Sequence, residues 1–235
     1  MRRVIMPISP ALLPVKPDLN YWHDPMLKSC YPGSGTSCFD LSGSEYDGTL
    51  INTPTFSTDV GGCFDFNGTT QYIDTNHYEM LAGAGSFSIE LWMKPDNTTA
   101  IRPIFSSWVG GAYSIAMLRL YNNQLNFYYY KNGVGQYGGA TQAFTNITTW
   151  SHIVGVYNGS SLKTYVNGTQ SSIVFSATGS TPNSSSSESF RIGRYGTSPA
   201  YGFDGKISSV KTYRRALSTT EITYNYNSQK VRHGL

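Results

Sequence analysis

The sequence predicts an all-β protein, a sandwich of two antiparallel sheets with an extended N-terminal arm and one short C-terminal helix. Three observations carry this. Charged residues make up only 13% of the 235-residue chain, against roughly 25% in an average globular protein. Ser, Thr, Asn, Gly and Tyr fill the shortfall, a mixture that suits strands and turns and starves helices. Apolar and polar residues also alternate at period two in several stretches, and Asn-Gly pairs stand where tight hairpins need positive backbone angles.

Residues 1–26 hold five of the 11 prolines: Pro7, Pro10, Pro14, Pro17 and Pro25. Proline removes a backbone donor and disfavours helix before it, so this segment is expected to be an extended arm. The opening MRRVIMPISPALLPV starts like a signal peptide. Its apolar run is broken by proline and no small-residue cleavage site follows, so it reads as retained. A sandwich domain is expected from residue 27 to residue 235, the arm being tied either to that domain or to a neighbouring chain.

Within 27–235, Phe87, Ile89, Leu91 and Met93 alternate with Ser88, Glu90, Trp92 and Lys94, a strand with one face in a core. Ser114–Leu120 and Gln124–Tyr130 read as strands joined through Asn122-Asn123. His152–Tyr157 and Leu162–Val166 flank Asn158-Gly159, and Asn167-Gly168 makes the next turn. A polar loop over 178–188 precedes predicted strands Phe190–Arg194 and Tyr201–Tyr213. Ser218-Thr219-Thr220-Glu221 is a capping box, opening a helix of about three turns that stops near Gly234.

Composition excludes several functions. Net charge is +3, with basic residues adjacent only at Arg2-Arg3 and Arg214-Arg215, whereas nucleic-acid surfaces need a patch or stripe. No apolar run approaches the ~20 residues of a membrane span. Cys30, Cys38 and Cys63 match no zinc spacing. Cys30 and Cys38 enclose a short loop and are placed either to bridge or to stay reduced. The glutamates Glu45, Glu79, Glu90, Glu188 and Glu221 are scattered, while glycoside cleavage needs two carboxylates about 5–9.5 Å apart. The four histidines sit in no nucleophile motif and no Gly-x-Ser-x-Gly elbow occurs. The chain is therefore expected not to be an enzyme. Six Asn-x-Ser/Thr triplets, at Asn67, Asn97, Asn146, Asn158, Asn167 and Asn183, are expected from composition alone.

Three stretches go beyond pattern: YPGSGTSCFDLSGSEYDGTL (31–50), GCFDFNGTTQYI (62–73) with FSIELWMK (87–94), and GFDGKISSVKTYRRALSTTE (202–221). Their order and spacing resemble the laminin-G-like, concanavalin-A-like lectin/glucanase domains, including those of bacteriophage virion proteins. The resemblance implies a jelly-roll sandwich that binds sugars, binds proteins or builds virions. Some such domains hold calcium; here Asn67, Thr70, Gln71 and Ser208 stand where acids are common in the family. Asp40 and Asp204 remain as metal candidates, so no cofactor is expected unless it is Ca²⁺. Asp40 heads an Asp-Leu-Ser-Gly turn and is equally placed to cap it.

Tyrosine numbers 18, and aromatic faces serve both sugars and protein interfaces. Trp108, Tyr113, Tyr129, Tyr137, Tyr195 and Tyr201 are the candidate glycan or protein contacts. The leading expectation is a non-enzymatic virion structural protein at the virion surface, a capsid decoration, cement or fibre component. It would attach through residues 1–26 to neighbouring virion proteins and to its own copies as a homo-oligomer, with a host-surface glycan as a further partner. The alternative is a carbohydrate-binding, lectin-like module of a bacterial surface or secreted protein.

Overall fold

The computed structural model describes residues 13–107, 114–131, 135–171, 174–176, 188–196 and 200–235. Its first strands are β1 (Leu19–His23), β2 (Ser37–Cys38), β3 (Gly48–Ile51), β4 (Thr55–Ser57), β5 (Cys63–Asn67) and β6 (Tyr72–Asp74). Then come β7 (Phe87–Pro95), β8 (Arg102–Ser106), β9 (Ala116–Tyr121), β10 (Gln124–Lys131), β11 (Gly135–Ala143) and β12 (Ser151–Tyr157). The chain finishes with β13 (Ser161–Val166), β14 (Thr169–Gln170), β15 (Phe175–Ser176), β16 (Arg191–Ile192), β17 (Asp204–Tyr213) and helix α1 (Thr219–Gln229).

The strands form two antiparallel sheets. The first runs β14-β13-β12-β7-β17-β5-β4, with β1 also on β17 and β15 on β13; the second runs β11-β10-β9-β8-β16-β6-β3-β2. Alternation delivers one face of each sheet to a shared core. Phe87, Ile89, Leu91 and Met93 of β7 meet Leu118, Leu120, Leu125 and Phe127 of β9 and β10 there. Each such side chain contributes about 1.5–3 kcal/mol on burial. Gly155 is required by this packing, because a Cβ would lie 2.8 Å from the Phe127 ring. The Asn122-Asn123 and Asn167-Gly168 hairpins adopt the expected positive φ throughout.

Four of the six Asn-x-Ser/Thr triplets close turns. The Asn67 Oδ1 accepts from the Thr69 and Thr70 amides, and Asn97, Asn146 and Asn158 accept in the same way from the residues two and three positions on. Each closes its own loop as a side-chain turn.

The arm boundary at residue 27 moves. β1 pairs with the Val210–Tyr213 end of β17, while β5 pairs with its Asp204–Ile207 end, so one edge of β17 serves two strands. Tyr21 is buried in the core, and the Val15 amide donates to Asn225 Oδ1 on α1. The described part of the arm is thus a piece of the sandwich, because pairing to β17 satisfies a backbone that would otherwise be exposed. The predicted strand Phe190–Arg194 shortens to β16, since Gly193 turns left-handed at φ 87°. Tyr201–Tyr213 begins only at Asp204. All three cysteines are buried free thiols.

The capping box forms as predicted: Ser218 accepts from the Glu221 amide and Glu221 accepts from the Ser218 amide. A 3₁₀ turn over Val231–His233 follows α1 and ends at left-handed Gly234. This C-terminal unit covers the outer face of the first sheet. Trp92 stacks on His233 with ring centroids 3.8 Å apart, and Ile222 and Leu217 pack with Val154, Val156 and Tyr213. Arg232 donates to Asp24 and to the carbonyls of Val60 and Gly62, fastening the C-terminus to the segments just after β1 and just before β5.

Because of that cover, β7 and β12 are buried on both faces, and the outward-facing Glu90 has no access to water. Lys211 Nζ and Asn225 Nδ2 donate to its two carboxylate oxygens. His152 Nε2 lies 3.2 Å from Oε1 but out of line for a hydrogen bond. Burial opposes the Glu90 charge; the Lys211 ammonium outweighs it and holds the carboxyl down at about 2. Burial keeps His152 neutral, lowering it from 6.5 against the pull of Glu90. Among the described residues no helix is long and apolar enough to cross a membrane.

Candidate functional site

The segment after β6 builds one wall of a surface groove. Thr75 pairs with Phe190 through its amide and hydroxyl, and the Phe190 amide returns to the His77 carbonyl. The chain then turns sharply at Asn76, which has φ 57° and whose amide bonds Asp74 Oδ1. Asn20 Nδ2 and Arg214 Nη1 both donate to the Met80 carbonyl, fixing the far end of the loop. His77, Tyr78 and Glu79 are displayed between these anchors.

The opposite wall comes from the turn that Asp40 heads. Its Oδ1 accepts from the amides of Trp22 and Ser42, and its Oδ2 accepts from the Ser42 hydroxyl and the Tyr46 amide. Asp47 in turn accepts from the Asp40 amide. A carboxylate that gathers this many donors holds its loop rigidly. The result places the Tyr46 ring 4.3 Å from the His77 ring, centroid to centroid.

Tyr46, Asn76, His77, Tyr78, Glu79 and Met80 line a groove of about 530 Å³. Met80 is the buried floor, and Tyr78 stands 52% exposed at the rim. Ligand sites typically combine apolar and aromatic walls with a few placed polar groups, in volumes of about 300–1,000 Å³. Among the described residues lining the groove, Glu79 is the single carboxylate. The arrangement offers ring faces for stacking, with an amide, an imidazole and a carboxylate to orient a polar ligand.

The residues expected from sequence fall elsewhere. Asp40 serves the turn, its oxygens taken up by protein donors rather than left open to a cation. Asp204 sits at the start of β17, 3.2 Å from Arg102. No group of three or more His, Cys, Asp or Glu side chains able to hold a metal gathers among the described residues. Tyr129 is a correction: it points into the core, fully buried and stacked on Tyr157 at 4.8 Å, because alternation sends Tyr128 and Tyr130 outward instead. Tyr195 and Tyr201 are brought together, centroids 4.9 Å apart, beside Met117 and Tyr130 on the outer face of the second sheet. Trp108 and Tyr113 lie outside the described residues, as does the Tyr137 side chain on β11. Sequence reasoning missed Tyr46, His77 and Tyr78. An aromatic cluster in a short polar interval, Asn76-His77-Tyr78-Glu79, was the available signal.

The sequence pattern of the concanavalin A-like lectin/glucanases superfamily matches residues 67–223, more than half of the chain. No curated protein matches it. Among solved structures, domain 4 of AbnA, a GH43 extracellular arabinanase from Geobacillus stearothermophilus in complex with arabinotriose, superposes with a TM-score of 0.68. That pair is 16% identical over 92% of this chain and 100% of the other. The binding domain of botulinum neurotoxin DC in complex with SialylT gives 0.70 at 13% identity, covering 90% of this chain and 52% of that one. The binding domain of Paraclostridial mosquitocidal protein 1 gives 0.68 at 13%, with the same two coverages. The chain spans about half the length of these two toxin domains, and at such identities the likeness is one of fold.

Proposed function

The chain belongs to the concanavalin A-like lectin/glucanases superfamily, and from that membership we propose that it is a non-catalytic carbohydrate-binding module whose sugar site is the Tyr46–Tyr78 groove. The observation that carries this is the groove itself: an exposed tyrosine, a tyrosine–histidine ring pair and two polar side chains on rigidly anchored loops. Aromatic faces stack on the apolar side of a sugar ring, and the placed polar groups select its hydroxyls. A single lining carboxylate suits recognition, whereas hydrolysis of a glycoside needs two. A domain of the same fold in complex with arabinotriose supports an oligosaccharide as ligand. Its parent is an extracellular enzyme, which supports a secreted or cell-surface setting here.

The virion reading had residues 1–26 attach the protein to neighbouring chains. β1 and Val15 are engaged by the chain's own sheet and helix, so the described part of that arm gives it no support.

A glycan array followed by calorimetric titration tests the proposal. Binding of a neutral oligosaccharide is expected, reduced about tenfold or more by Tyr78→Ala, a loss of roughly 1.4 kcal/mol. Failure to bind any glycan, or unchanged affinity in Tyr78→Ala, overturns it.

A further inference from the structure

The second sheet presents an outer face of a different kind. β9 and β10 pair with Arg119 opposite Asn126 and Met117 opposite Tyr128. Since Leu118, Leu120, Leu125, Phe127 and Tyr129 belong to the core, alternation turns Met117, Arg119, Tyr121, Asn126, Tyr128 and Tyr130 outward. The Arg119 guanidinium lies over two of these rings, 5.1 Å from the centroid of Tyr128 and 5.6 Å from that of Tyr121. Tyr121 is 45% exposed, while Met117 and Tyr130 form a buried floor.

The charge on this face is uncompensated. Arg102 pairs with Asp204, and Arg191 pairs with Asp74 and Glu188. Arg119 has no carboxylate partner among the described residues, and the Tyr195 hydroxyl is close enough to feel its charge. Its Nε is buried without a hydrogen-bond partner, and so is the neighbouring Tyr130 hydroxyl. Buried donors left unmatched are costly, a guanidinium most of all. Arginine presents a planar fork suited to carboxylate or sulfate oxygens, and flanking tyrosines suit a ring.

From this juxtaposition of an unpaired guanidinium, two unmatched buried donors and an exposed tyrosine, we infer that the Arg119–Tyr121–Tyr128 face is a second binding site, one that takes an anionic saccharide through its acidic group. The site lies on β9 and β10, on residues distinct from those of the groove after β6, and does not depend on the groove being a sugar site.

Three polymers separate the possibilities: polygalacturonate for a carboxylate, dextran sulfate for a sulfate, and dextran as the neutral control. Affinity electrophoresis of the full chain is expected to show retardation by at least one acidic polymer. Arg119→Gln should weaken that about tenfold, and Arg119→Lys several-fold, since the point charge remains but the fork is lost. Lys28→Gln removes the same unit of charge from an exposed position and should leave the retardation unchanged, as should Tyr78→Ala. The inference is overturned if neither acidic polymer retards the protein, if Arg119→Gln behaves as the parent, or if Lys28→Gln weakens binding as much as Arg119→Gln. Thermal melting of each variant shows that it is folded.

Discussion

Lys211 Nζ lies 2.7 Å from Glu90 Oε1, with neither side chain reached by solvent. The pair joins β17 to β7 beneath the C-terminal helix, and Asn225 of that helix donates to the second oxygen at 2.6 Å. A charged pair thus fastens the helix to the first sheet. Removing one partner of such a pair leaves a buried charge unmatched. Lys211→Met is therefore expected to cost about 3–5 kcal/mol, read from urea unfolding, and Lys211→Met with Glu90→Leu to recover most of that loss. A cost near zero for the single variant would show that water reaches Glu90.

Acid sensitivity follows from the buried histidines. Burial lowers His23 to about 4 and His233 to about 3, and lowers His152 from 6.5. Neutral His233 accepts from Ser208 at Nε2 and donates from Nδ1 to the Gln229 carbonyl. On acidification the unfolded chain takes up these protons near pH 6.5, before the folded chain does. Stability is then full above 6.5 and falls with pH below it, by up to about 1.4 kcal/mol per pH unit for each histidine. Glu90 adds to the loss below 4.5, because its folded carboxyl resists protonation down to about 2. Urea midpoints at pH 8, 6, 5 and 4 should decline steadily. A flat profile between 7 and 5 would contradict the burial of the imidazoles.

Asp40 is expected to act through its turn. Asp40→Ala strands the amides of Trp22, Ser42 and Tyr46, and should cost about 2 kcal/mol or more. It should also weaken any ligand held by the groove, because Tyr46 loses its anchor. Chelation with EDTA is expected to leave both the melting temperature and binding unchanged. A calcium-dependent melting shift abolished by Asp40→Ala would refute the turn-capping role.

Tyr78 and Tyr129 separate surface recognition from packing. Tyr78→Ala should alter stability by less than about 0.5 kcal/mol while weakening glycan binding. Tyr129→Ala removes a ring stacked in the core and should cost about 3–5 kcal/mol. Paired unfolding and binding measurements on the two variants check this; equal destabilisation would remove the distinction.

Much of the fold was legible because its signals are local. The alternation in Phe87–Pro95, the Asn-Gly turn at 167–168 and the Ser218–Glu221 capping box each lie within a few residues, and each forms where expected. The Asn-x-Ser/Thr triplets were visible too, but the turn-closing role of Asn67, Asn97, Asn146 and Asn158 was not, since composition alone accounted for their number. The groove was not legible. Tyr46 and His77 meet only because Asp40 ties one loop to Trp22 and Asn20 ties the other at Met80.

Alone, then, the sequence determined the strands over 87–95, 124–130, 152–157 and 162–166, the Asn turns between strands, the terminal helix and the scarcity of acids suited to chemistry, since a side chain's facing depends on its immediate neighbours along the strand. It could not decide that β1 would share an edge of β17, that a helix would seal Glu90 from water, or which tyrosine would stay exposed. Those outcomes depend on register between distant strands and on what covers each sheet, and both are set by contacts between residues far apart along the chain.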